Sequence, residues 1–317
     1  MDSFEDRFVT VRGVKTRYWQ AGSSGSAVIL LHGIGCSVLD WQTNIRALAA
    51  CHRVYAFDML GYGLTEKPRD ETYTIPQLAQ FTLDFLSAQE IQRAHFAGFS
   101  LGGSVVLDCA RTAPERVASM VLLAPAGIAR KGMLIHFRLA SIPFLGEMIM
   151  QPSAARLKTF WDLAFWDQSF VTAEFTANRL KFAMLPGAKE ALLKTLRSGL
   201  NWRGVRRAHV DAISAGLPMM NTPALVVWGK QDNFISAKHA DVLQRLLPNV
   251  HVMLIDQCGH LPQIESSEKF NEAALAFLSD VDRSEAGALA ASPPMKRCSA
   301  RRPIGLEGAC RETFGTD

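Results

Sequence analysis

Ser100 stands in the stretch AHFAGFSLGGSVVLDCA, residues 94–110, with Gly98 and Gly102 two places to either side. A strand-like apolar run precedes it and a helix-like pattern follows, so the G-x-S-x-G spacing puts the serine on a sharp strand-to-helix turn. On such a turn the hydroxyl stands exposed at the carboxyl end of a sheet, and the following helix aims its first N–H groups and positive dipole end at the same spot. A serine hydroxyl is a weak nucleophile until a base takes its proton. His260, in DQCGHLPQIES, is the best placed of the eight histidines, in a loop after the run VHVMLI and before a helix expected near Glu265. An imidazole in that role needs an anion to fix its tautomer. Asp232, in VVWGKQDNFIS, follows the run ALVVW by a short loop, whereas Asp256 is read as a turn residue. The other place for an acid, just after VASMVLLA, holds Pro125 and Ala126. LLHGIGCS, residues 30–37, supplies a further turn. There the N–H of Ile34, opposite that of Leu101, can receive the negative charge of acyl transfer, each donor being worth about 3 kcal/mol. His32 in that turn is expected to order the loop by hydrogen bonding rather than to act as a base.

These residues need a scaffold that brings distant loops together. From residue 27 onward short β-branched or aromatic runs (AVILL, VYAF, AHFAGF, VASMVLLA, ALVVW, VHVMLI) alternate with helical patterns (LDWQTNIRALAA, IPQLAQFTLDFLSAQE, LGGSVVLDCARTA, AKHADVLQRLLP). That alternation predicts an α/β fold with a mostly parallel sheet covered by helices on both faces. RFVTVRG and KTRYWQAG add an antiparallel hairpin at one edge. The rhythm stops after Gly127 and resumes at Pro223. The expected organisation is a core of residues 1–126 and 218–282, a helical cap inserted over 127–217, and a disordered tail over 283–317.

The order serine, aspartate, histidine, together with the Ile34 turn and DMLGYGLTEKP at 58–68, resembles the α/β-hydrolase superfamily over about residues 7–282. In the last segment Thr65 stands where that family usually has serine, and it is taken as a scaffold turn. The resemblance implies an eight-stranded sheet, a Ser100–His260–Asp232 triad, an oxyanion hole at Ile34 and Leu101, and no cofactor; no metal-ligand spacing is present. Relatives that open epoxides or displace halide carry aspartate at the elbow, so Ser100 points to acyl chemistry. The leading expectation is a carboxylesterase or lipase-like hydrolase acting on a small ester with a hydrophobic acyl or alcohol part. The alternatives are a carbon-carbon bond hydrolase of ring-cleavage products and a non-catalytic ligand receptor. The carbon-carbon relatives usually place tryptophan after the histidine, where this chain has Leu261, and use an arginine to grip a substrate carboxylate. Phe99, Trp161, Phe165, Trp166 and Leu261 are the candidate substrate-binding residues, most of them from the cap segment FWDLAFWDQSF, residues 160–170.

The chain's 317 residues, 48% hydrophobic, suffice for a large core and exclude a fibrous or wholly disordered protein. Six dispersed cysteines give neither a disulfide framework nor a zinc site. An acidic amino-terminal segment and the lack of a long apolar run lead to the expectation of a cytoplasmic protein. The net charge of +4 hides a strong contrast, for residues 127–217 carry thirteen Lys/Arg against six Asp/Glu. With no nucleic-acid module recognised, the basic surplus of the cap reads as a solvated charged face, with attraction of anionic substrates or peripheral contact with a lipid surface as the alternatives.

Overall fold

The computed structural model describes residues 4–291. Six apolar runs form the parallel part of one sheet: β3 (Ala27–Leu31), β4 (Arg53–Phe57), β5 (Ala94–Phe99), β6 (Val117–Leu123), β9 (Ala224–Gly229) and β10 (Val250–Ile255). The hairpin of β1 (Arg7–Val11) and β2 (Val14–Ala21) joins antiparallel at one edge, giving the order β1-β2-β4-β3-β5-β6-β9-β10. Its two loop residues, Arg12 and Gly13, have φ of 50° and 81°, the left-handed pair that a two-residue turn needs to match strand twist. β3, β5, β6 and β9 are buried along their whole length, as central parallel strands covered on both faces must be.

The covering helices of the core are α1 (Ile45–Leu48), α2 (Ile75–Ala88), α3 (Leu101–Thr112), α10 (His239–Leu246), α11 (Pro262–Glu265) and α12 (Ser267–Ala291). Strand order reverses at β3, since the chain passes from β3 to β4 on one side and then to β5 on the other. Such a switch point leaves a crevice beyond the carboxyl ends of the strands, where β3 and β5 deliver the Ile34 turn and Ser100.

Between β6 and β9 the chain leaves the sheet. It forms α4 (Ile135–Ala140), α5 (Leu145–Ile149), α6 (Ala154–Ala164), α7 (Ala173–Ala183) and α8 (Ala188–Gly199), then the two-residue strands β7 (Leu200–Asn201) and β8 (Gly204–Val205), and α9 (Arg207–Gly216). Backbone bonds from Leu134 N to Phe234 O and from His260 N to Ala164 O attach this insertion to loops at the carboxyl end of the sheet.

Two segments differ from their patterns. LDWQTNIRALAA is not one helix but a 3-10 turn at Val38–Trp41 followed by the single turn α1. Its polar groups are drawn into tertiary bonds instead: Val38 N donates to Asp58 Oδ1 and Asn44 Nδ2 to Gln263 O. The last helix begins at Ser267, close to the start expected near Glu265, but continues past Asp282 to Ala291, through an alanine-rich stretch of strong helix formers. The rest of the expected tail, 292–317, lies outside the described residues. Among the described residues no helix is long and apolar enough to cross a membrane.

Candidate active site

Ser100 caps α3 with φ 53° and ψ −111°, a left-handed backbone that costs a non-glycine residue roughly 1–3 kcal/mol. Its N–H donates to Leu123 O at 2.8 Å and its carbonyl accepts from Ala126 N at 3.0 Å, so β6 and the chain after it hold the turn open. The glycines around it answer to backbone, not to flexibility. A Cβ on Gly98 would fall 2.4 Å from Gly102 O, and one on Gly102 would fall 2.3 Å from Leu31 O. β5, α3 and the end of β3 therefore touch backbone to backbone beneath the serine.

The three residues that the sequence separates by up to 160 positions meet here. His260 Nε2 is 3.2 Å from Ser100 Oγ, and its Nδ1 is 2.7 Å from Asp232 Oδ2. Asp232 also accepts from Trp228 Nε1 at 2.9 Å and from the backbone N–H groups of Phe234 and Ile235 at 2.7 and 2.9 Å. Because the carboxylate faces N–H donors on every side, the Nδ1 of His260 carries the proton and its Nε2 offers a lone pair to the serine. The rings of Phe99 and Phe234 lie 4.9 and 5.1 Å from the imidazole and shield it from water.

His32 is fully buried and takes no part in that chain. Its Nε2 accepts from Met59 N at 3.0 Å, which leaves Nδ1 to donate to Gly33 O at 2.7 Å and so to fix the loop that carries Ile34. Asp58 and Thr65, from the DMLGYGLT turn, brace the same loop. Asp58 accepts from Val38 N and Leu64 N, and Thr65 Oγ1 donates to Asp58 O. Ile34 and Leu101 line the same small cavity as Ser100, about 70 Å³ in volume. As the first residue of α3, Leu101 has no intrahelical acceptor for its N–H.

Burial pushes the imidazoles of His32, His52, His209 and His239 below the ordinary 6.5. Unfolded histidines bind protons that these cannot, so stability is complete above pH 6.5 and falls as pH drops through that value. Thermal melting across an acid series is expected to show this decline.

Beside the serine cavity, and sharing Ile34, Phe137 and Leu196 with it, lies a larger one of about 650 Å³. Its walls are mainly apolar and come from α5, α6, α7 and α8, with Gly61, Tyr62 and Lys67 from the core. This volume falls within the range of small-molecule sites, roughly 300–1,000 Å³. Of the five candidate substrate-binding residues, Trp161 alone lines it. Phe99 is buried beneath Gly33 and Leu261 is fully enclosed. Phe165 and Trp166 also depart from expectation. Beyond α6 the backbone becomes extended and successive side chains alternate, so Phe165 turns inward to stack on Phe170 while Trp166 is 52% exposed.

Several residues at the site were not singled out from the sequence. Glu265 accepts from Gly259 N at 2.6 Å and from Asp167 N at 2.7 Å, clamping the His260 loop to the chain after α6; burial raises its carboxyl above the usual range. Arg179 of α7 pairs with Asp40 deep in the larger cavity and lies over the Trp161 and Phe175 rings, at 4.7 and 4.5 Å. Trp228, four residues before Asp232 at the end of β9, was the one neighbour whose spacing could have revealed it.

Residues 26–267 match the model of the alpha/beta hydrolase fold family. The chain belongs to this family. It is 35% identical, over 81% of its length, to the dihydrolipoyllysine-residue acetyltransferase component of the acetoin cleaving system of Pseudomonas putida, of which the match spans 64%. It is 27% identical to the 2-hydroxymuconate semialdehyde hydrolase of Pseudomonas sp. strain CF600, over 87% of this chain and 94% of that protein. A crystal structure of a serine hydrolase from the polyaromatic-hydrocarbon-degrading bacterium Cycloclasticus zankles superposes with a TM-score of 0.76 at 25% identity, covering 87% of this chain and 98% of the other. The sheet with its mostly parallel order is that of this hydrolase fold.

Proposed function

We propose that this hydrolase cleaves carboxylic esters with a hydrophobic acyl or alcohol part through an acyl-enzyme. The observation that carries the reading is the continuous chain Ser100 Oγ, His260 Nε2, His260 Nδ1, Asp232 Oδ2 beside a large, mainly apolar cavity. As the serine oxygen attacks the ester carbonyl, its proton passes to Nε2, and Asp232 stabilises the imidazolium. The N–H groups of Ile34 and Leu101 receive the oxyanion; the imidazolium then protonates the leaving alcohol, and water repeats the cycle on the acyl-enzyme. Neither step calls on a cofactor. The buried free thiols Cys36, Cys109 and Cys258 suit a reducing, cytoplasmic setting.

A second reading, carbon-carbon bond cleavage of ring-fission products, draws support from the semialdehyde hydrolase relative. Two observations weigh against it. Leu261 occupies the position where such enzymes usually carry tryptophan, and Arg179, the buried arginine of the larger cavity, already has its charge answered by Asp40. The acetyltransferase relative is a longer protein, of which this chain matches 64%.

Hydrolysis of aryl esters of increasing acyl length, set against a ring-fission dienoate, separates the readings. The ester reading expects turnover of the esters with an optimum in chain length and little turnover of the dienoate. Turnover of the dienoate alone would transfer the assignment to carbon-carbon cleavage.

A further inference from the structure

The large apolar side chains that reach solvent are not scattered over the described residues. Nine of eleven, Ile135, Leu139, Phe144, Met148, Leu163, Trp166, Met184, Trp202 and Met219, lie between β6 and β9. Four of them sit on the hairpin of α4 and α5. Ile135 and Leu139 are one turn apart on α4, and Phe144 and Met148 one turn apart across the start of α5, so each pair shares a helix face. Phe144 is 86% exposed and holds φ of 65°, an uncommon backbone for an aromatic residue and one that turns α5 back on α4 at the hairpin tip. The opposite faces look inward, where Phe137, Ile149 and Met150 line the 650 Å³ cavity, whose rim Met148 also reaches. One short hairpin thus presents an apolar tip to the outside and a cavity wall to the inside.

Its charge is one-sided. From Ile128 to Arg156 the chain carries four Lys/Arg against the single acid Glu147, which Arg197 pairs; Lys158 beyond them is answered by Asp162. Arg138 spends its guanidinium on the neutral carbonyl of Trp202, and Arg156 on those of Met148 and Gln151, so neither charge is cancelled by these bonds. Arg203 lies over the exposed Trp202 ring at 4.7 Å. Apolar tips set among uncompensated arginines and an exposed tryptophan match an anionic bilayer surface, where the tips enter the headgroup boundary and the cations meet lipid phosphates. A soluble partner protein would call for a broader, more continuous apolar patch than these separate tips.

The geometry points to the α4–α5 hairpin as a docking surface for an anionic membrane. Docked this way, the wall of the larger cavity lies against the lipid. That lipid-borne esters are the substrates drawn in from there rests on the proposed hydrolase function; the docking itself does not.

Co-sedimentation of the full chain with phosphatidylcholine vesicles, with and without an equal share of phosphatidylglycerol, tests the surface. The expected result is binding to the anionic vesicles, weakened by salt. Arg138→Gln should weaken it about fivefold. The Leu139→Ser/Phe144→Ser variant, whose side chains line neither cavity, should weaken it more than about thirtyfold. Hydrolysis of a short water-soluble aryl ester should be unchanged in both variants, which shows that they are folded and separates this test from that of the hydrolase reading. Equal binding of wild type and the double variant, or no binding to anionic vesicles, overturns the proposal. So does a dimer in gel filtration that the double variant converts to monomer while vesicles are ignored, since the hairpin would then join two copies of the chain.

Discussion

Ser100→Ala is expected to lower aryl-ester kcat/KM by at least about 10³-fold while leaving the protein folded. Stability and activity depend on different groups around the serine. Within the protein the side chain makes one hydrogen bond, to His260 at 3.2 Å, so removing it changes stability by no more than about 1 kcal/mol. The turn itself is held by backbone: Ser100 N bonds Leu123 O, and Ser100 O accepts from Ala126, Gly103 and Ser104. Activity behaves differently, because without the hydroxyl no covalent intermediate forms, and the base and its aspartate have nothing to activate. Members of such a unit are non-additive. Adding His260→Ala to Ser100→Ala should therefore cost little further activity, whereas Asp232→Asn alone should cost about 10⁴-fold by presenting the wrong imidazole tautomer. Melting curves beside the rates keep unfolding apart from lost chemistry. A Ser100→Ala enzyme with near-normal turnover and an intact fold would remove Ser100 from the mechanism.

What could be read in advance depended on whether a signal was local. β3, β5, β6 and β9 stand out because each is buried on both faces and so is written as an unbroken apolar run, with turn residues at its ends. Ser100 is legible for the same reason: the glycines that let three backbones meet lie within two residues of it. His260 and Asp232 follow strand ends by short loops, so their placement needed only the sheet. Glu265 and Asp167, by contrast, are 98 residues apart, and Arg179 and Asp40 are 139 apart. No local pattern marks such pairs, since an acid in a short turn and an arginine on a cap helix look like ordinary solvated charges until the fold brings their partners. Of the cap aromatics, Phe165 and Trp166 depart from expectation for a related reason, while Trp161 lines the larger cavity. Composition showed an apolar roof, but the end of α6 decides which rings point inward, and it sends Trp166 out while Phe165 is spent on Phe170. The Asp40 segment likewise has helical composition, yet its polar groups find tertiary partners first.

The second large effect concerns a residue with no chemistry of its own. Gly102→Ala sets two effects against each other. In a helix interior alanine is favoured over glycine by about 1 kcal/mol, so on propensity alone the substitution should stabilise α3. The added Cβ, however, would stand 2.3 Å from Leu31 O and 2.7 Å from His32 O, both backbone atoms at the end of β3. Neither can swing aside as a side chain would, so α3 must shift away from β3. Overpacking of this kind costs typically about 1–3 kcal/mol and more where backbone must move, so destabilisation wins. The same shift would draw the Leu101 N–H and Ser100 away from the loop that carries Ile34, and hydrolysis should fall together with stability. Gly287→Ala provides the control: it lies in α12 with nothing within 4 Å of its added Cβ, and only the propensity gain should remain there. Denaturant midpoints of the two variants should therefore move in opposite directions. A Gly102→Ala protein that gains stability as Gly287→Ala does would mean that α3 and β3 do not approach backbone to backbone. The elbow would then lose the support that holds Ser100 at the carboxyl end of the sheet.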